Sequence, residues 1–137
     1  WAPATANGMR KAVFLIRDEK KFAEVTVIDL SATAGGLLPN INRWRKQIAL
    51  EDITQEELEQ QISPIQVAGQ EGRYVELLGP EDAERPMAIF GVVVPHNDKS
   101  WFIKILGDTD VVAKERERFK KFAESLTFED SDGEKNE

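Results

Sequence analysis

The chain has 137 residues, 18 Lys and Arg against 25 Asp and Glu, one His, no Cys and a net charge of −7. At 41% hydrophobic residues it carries enough apolar material for the core of one domain, which excludes wholesale disorder and a disulfide scaffold. Without Cys and with only His96, it can build neither a thiol nucleophile nor a usual zinc cage, its acid excess argues against general nucleic-acid binding, and no apolar run approaches the ~20 residues of a membrane span.

The chain opens on Trp1 instead of Met, as a processed or excised form would, so any targeting signal lies out of view. Residues 11–17, KAVFLIR, and 24–30, EVTVIDL, are β-rich runs joined by a charged connection, which predicts an antiparallel hairpin. Alternation puts Val25 and Val27 on one face and Thr26, Ile28 and Leu30 on the other. The loop SATAGGLLPN then leads into a helix starting near Pro39 or Asn40. Ile41, Trp44 and Ile48 form its apolar face, while Arg43, Arg45 and Lys46 mostly point away. Thr54 and Glu57 have capping-box spacing and predict a short helix over 55–61, with Leu58 and Ile62 as its apolar contacts.

After Pro64, residues 65–67, 73–78 and 87–94 read as three strands. The last, MAIFGVVV, is almost wholly apolar and is expected to be a central strand buried on both faces, with residues 101–106 returning beside it. Asp108 or Thr109 is expected to cap a final helix over about 111–125. In that helix Val112, Phe119, Phe122 and Leu126 face the sheet, and Lys114, Glu115, Arg118 and Lys121 face solvent. Thr127 and Phe128 could close as a terminal strand. The order β-β-α-α-β-β-β-β-α predicts an α+β fold, a central antiparallel sheet flanked by helices. Residues 1–128 form its single domain. Residues 129–137, EDSDGEKNE, carry five acids and one Lys with nothing to bury, and are expected to be a disordered acidic tail that holds most of the net charge.

Five groups are candidates for chemistry. Gly35 and Gly36 let backbone amides approach a ligand, and a helix start with Asn40, Asn42, Arg43 and Arg45 could hold an anion, although GGLLPN has neither P-loop nor dinucleotide spacing and a plain strand-to-helix connection needs the same residues. His96 stands beside Asn97 and Asp98 in an expected hairpin turn, where those residue types are favoured for local bonding. Trp44 and Trp101 are candidates for an apolar interaction surface, against the commoner role of filling core volume; Trp101 and Phe102 must face opposite layers. The DxDGE of the tail lacks the remaining ligand positions of a calcium loop. Glu56, Glu57 and Glu59, and Glu81, Asp82 and Glu84, read as solvated carboxylates. No catalytic residue, metal site or cofactor is expected.

Two longer stretches carry a resemblance. VTVIDLSATAGGLLPNINRWRKQIAL, followed by WFIKILGD and FKKFAESLTF, resembles a bacterial family of uncharacterised exported, lipoprotein-type envelope domains. It does so through Gly35, Gly36, Asn40, Asn42, Trp44, Arg45, Trp101, Phe102, Lys104, Gly107, Phe119, Phe122, Ser125 and Phe128. The C-terminal layout also looks like the PsbP-like fold, an α/β/α sandwich. These resemblances imply an exported protein, periplasmic or membrane-anchored with any lipid anchor removed from view. They imply a non-enzymatic accessory role with a protein partner in the envelope, docked through one sheet edge or through the Gly35–Arg45 region. The alternative reading of the residues is a small-ligand or anion binder using that same loop and helix start.

Overall fold

The computed structural model describes residues 2–3, 10–31, 37–96 and 99–126. Its strands are β1 (Ala2–Pro3), β2 (Arg10–Asp18), β3 (Lys21–Ser31), β4 (Ser63–Val67), β5 (Gln70–Leu78), β6 (Met87–His96) and β7 (Lys99–Asp108). They form one antiparallel sheet in the order β1-β2-β3-β7-β6-β5-β4. Helices α1 (Leu37–Gln47) and α2 (Gln55–Gln61) precede β4, and α3 (Thr109–Lys114) and α4 (Arg116–Ser125) follow β7. The fold is α+β, a sheet flanked by helices.

Strand periodicity divides the core into two layers. On one face Val25, Val27, Ile65, Tyr74, Phe90, Val92, Ile103 and Ile105 pack with Val111, Val112, Phe119 and Ala123 of α3 and α4. On the other, Val75, Leu77, Ile89, Val93 and Phe102 pack with Ile41, Trp44, Ile48 and Leu58 of α1 and α2. Because successive strand residues alternate sides, the apolar run of β6 supplies both layers, with Phe90 and Val92 on one face and Ile89 and Val93 on the other. That strand is interior and buried on both faces, as its composition predicts, although β7 holds the middle place in the sheet. Trp101 and Phe102 do fall in opposite layers.

Local chemistry fixes the helix ends. Thr54 Oγ1 accepts from Glu57 N–H and the Glu57 carboxylate accepts from Thr54 N–H, which is the expected capping box. Helix α1 begins at Leu37, ahead of the expected start, so Pro39 sits in a first turn where a missing N–H costs nothing. It closes in a Schellman arrangement: Leu50 N–H reaches Arg45 O, Ala49 N–H reaches Lys46 O, and Ala49 takes φ of 66°. In the β4–β5 hairpin, Ala68 and Gly69 both have positive φ, 53° and 79°, as the right-handed twist of a two-residue turn requires.

The C-terminal helix corrects the sequence reading twice. It is interrupted at Glu115, and Glu115 is only 6% exposed instead of solvated. The reason is periodic: Val112, Glu115, Phe119 and Phe122 are spaced by three, four and three residues, so Glu115 stands on the apolar stripe itself. Asp108 does occupy the N-cap of α3, but its side chain makes no cap bond, being engaged elsewhere. Thr127, Phe128 and the 129–137 tail lie outside the described residues. No helix among the described residues is long and apolar enough to cross a membrane.

Both edge strands carry proline, Pro3 in β1 and Pro64 in β4. Each proline removes one N–H from its edge strand.

Candidate functional site

Among the described residues of the loop and helix start singled out in the sequence, Asn42 and Arg45 bond to the chain that follows α1. Gly35 and Gly36 lie outside the described residues. Asn40 is buried at the start of α1. Asn42 spends both amide atoms on one residue of the following loop: its Nδ2 donates to Ile53 O at 3.2 Å and its Oδ1 accepts from Ile53 N–H at 2.8 Å. Arg45 Nε donates to Glu51 O, and Arg43 is exposed on the outer face of α1. These side chains staple the α1–α2 connection, toward the C-terminal end of α1 and away from its N-terminus. Trp44 is no interaction surface either. It is 3% exposed, edge-on to Phe102 at 6.1 Å and seated over Gly91. Trp101 is partly buried against the opposite layer. His96 ends β6 opposite Lys99, and the two residues of the turn lie outside the described ones. Glu56, Glu57, Glu59, Glu81, Asp82 and Glu84 are exposed, as expected. No group of three or more His, Asp or Glu among the described residues could hold a metal ion.

What the fold does assemble is a groove of about 750 Å³ between β4, β5 and α4. Register explains it. Ser63 pairs with Tyr74, so two residues further along β5 Glu76 has no β4 neighbour and the floor lies open beside α4. Tyr74 and Glu76 are two apart in a strand and share the face that α4 covers, whereas Val75 and Leu77 point to the other layer.

The floor of this groove is fully committed. Tyr74 Oη donates to Glu76 Oε2 at 2.6 Å. Arg116, at the start of α4, grips the same carboxylate with Nε at 2.7 Å and Nη2 at 3.0 Å, a two-pronged charge-assisted contact. The Arg116 guanidinium lies 5.1 Å from the centre of the Phe90 ring, and Phe90 stands edge-on to Tyr74 at 6.4 Å. Burial pushes the Tyr74 phenol up, and the neighbouring Glu76 carboxylate pushes it further. Burial alone would raise Glu76 as well, but the bonds from Arg116 and Tyr74 and the charges of Arg116 and Lys120 hold its carboxyl below the usual range. Tyr74 therefore stays a phenol and Glu76 a carboxylate across the neutral range.

The walls carry polar heads that no hydrogen bond engages among the described residues. Gln61, Ser63 and Gln66 on one side and Lys120 on the other line the groove, and their side chains make no hydrogen bond or ion pair among the described residues. The Lys120 ammonium lies 4.7 Å from the centre of the Tyr74 ring. Pro64 and Ile65 add apolar surface, and Glu124 stands one helical turn beyond Lys120. Sequence reading missed this site, yet a signal existed. YVELL alternates so that an inward tyrosine is followed two residues later by an inward glutamate, which needs a cation to be tolerated there.

A second cluster is structural. Asp108 is 5% exposed, takes Arg85 Nε and Nη2 at 2.8 Å each, and accepts from Phe22 N–H at 2.9 Å. The Arg85 bonds, joined by the Phe22 bond, hold its carboxyl down to about 2 against the cost of burial. With Arg85 also over the Phe22 ring at 4.9 Å, this node ties the β5–β6 connection to the β2–β3 hairpin.

No protein-family model matches the chain, and no curated protein matches it either. Among solved structures, the chain is similar to PA94 of Pseudomonas aeruginosa, a protein of unknown function put forward as a regulator. The likeness has a TM-score of 0.54 at 11% identity and covers 86% of this chain and 82% of that one. It is a likeness of fold. At that identity it carries no residue across, so the groove must be read on its own chemistry.

Proposed function

We propose that this chain is a non-enzymatic interaction domain of the bacterial cell envelope, exported and periplasmic or membrane-anchored, which docks a protein partner through the β4–α4 groove. The placement in the envelope rests on the resemblance of the GGLLPN, NRW and WFIK stretches. The docking role rests on one observation, the contrast between a floor whose phenol, carboxylate and guanidinium are locked together and walls whose polar heads are unspent. A group that works as an acid or base needs a pKa near the operating pH. Tyr74 and Glu76 are driven away from neutrality in opposite directions, an arrangement suited to presenting a fixed surface. The self-directed bonds of Asn42 and Arg45 disfavour the anion-binding alternative.

A photo-cross-linking residue placed at Gln66, and separately at Lys46 on the opposite helix layer, tests this in envelope fractions. The expected result is one discrete adduct from position 66 and none from position 46. No adduct at 66, or the same adducts from both positions, would count against the groove.

A further inference from the structure

Resting on the reading of the groove as a docking site, we infer that what it recognises is a peptide segment bearing a single free carboxylate, with Lys120 as the anchor. Charge placement within the groove leads there. The Glu76 carboxylate is paired with Arg116 at 2.7 and 3.0 Å, and the Lys120 ammonium, which acts on Glu76 only through its field, is the cation among the lining residues beside the acids Glu76 and Glu124. Lys120 makes no ion pair among the described residues, and its place over the Tyr74 ring at 4.7 Å holds its donors at the groove instead of letting them wander into solvent.

The remaining lining residues set the rest of the chemistry. The primary amides of Gln61 and Gln66 each offer one acceptor and two donors, the complement of a peptide group, and Ser63 adds a hydroxyl. Pro64 and Ile65 give the apolar shelf against which an extended backbone can lie. Glu124, one turn beyond Lys120 on the same wall, makes Glu76, Arg116, Lys120 and Glu124 a neutral set, in which a monoanionic carboxylate meets less repulsion than a dianionic phosphate.

The test uses the whole chain, labelled with nitrogen-15, and three probes at matched ionic strength and neutral pH: N-acetyl-diglycine with its free carboxylate, the same compound as its methylamide, and inorganic phosphate. N-acetyl-diglycine is expected to shift the amides of Ser63, Ile65, Gln66 and residues 120–124 in a saturable manner at millimolar concentration. The methylamide and phosphate should bind at least fivefold more weakly. Lys120→Gln, at a half-buried position with no bonded partner to strand, should weaken the first probe at least fivefold, and Lys120→Arg should restore most of it. Equal binding of the methylamide or of phosphate, an unchanged affinity in Lys120→Gln, shifts centred on the Arg85 cluster, or no saturable shift would each overturn the inference. The adduct from position 66 reads the docking role independently, so a failed carboxylate and a failed groove give different results.

Discussion

Replacing Phe90 by Ala should destabilise the protein by about 4 kcal/mol, the expected cost of deleting a fully buried aromatic ring. Phe90 is fully buried in the α3/α4 layer, edge-on to Tyr74 and beneath the Arg116 guanidinium. Its loss removes the apolar bed on which the groove floor is built as well as its own contacts. Phe90→Leu keeps most of the volume and should cost roughly 1.5 kcal/mol. Urea unfolding followed by fluorescence measures both, and an unchanged slope would indicate that the midpoint shift reflects stability alone. Equal costs for the two substitutions would mean that packing at this position is not what the ring supplies.

Gly91→Ala is expected to cost about 3 kcal/mol, at the upper end of what overpacking produces. Gly91 faces the α1/α2 layer, and a Cβ there would stand 2.8 Å from Trp44 Cη2 and closer still to Cζ3. The indole cannot simply swing aside, because it is 3% exposed and held edge-on against Phe102. In a Trp44→Phe background the same change should cost less, since the smaller ring leaves room. Thermal unfolding of the four proteins of this cycle supplies the comparison, with a fall of roughly 10 °C expected for the single Gly91→Ala variant. Strict additivity would contradict the contact.

Much of this architecture is legible in the sequence, for particular reasons. Alternation over EVTVIDL placed Val25 and Val27 opposite Ile28 as found, and the continuous apolar run MAIFGVVV was legible as a strand buried on both faces. The capping box at Thr54 was legible because it is a local device, closed within four residues. The misreadings arose where a side chain has a distant partner. Asp108 looks like a helix cap from its neighbours, but Arg85, 23 residues away, and the Phe22 amide, 86 residues away, claim it. The bonds of Asn42 to Ile53 and of Arg45 to Glu51 were likewise not legible, because no local motif announces them. Glu115 was misplaced for a different reason: its charge outweighed its position on the apolar stripe. The groove escaped notice because Glu76 and Arg116 are 40 residues apart and meet only once α4 folds back over the sheet.

The groove floor presents a surface of fixed protonation, and carbon-detected titration of the Glu76 carboxyl and the Tyr74 phenol in the folded protein tests that most directly. Glu76 should titrate below the ordinary 4.5 of a glutamate and Tyr74 should remain a phenol beyond the ordinary 10.0. The signs follow by linkage. The depressed Glu76 contributes stability in full above 4.5 that is lost as pH falls through its folded value, whereas the raised Tyr74 contributes below 10.0 and loses it as pH rises through its own. Glu76 titrating at or above 4.5 together with Tyr74 ionising at or below 10.0 would contradict the account, because the floor would then be free to exchange protons.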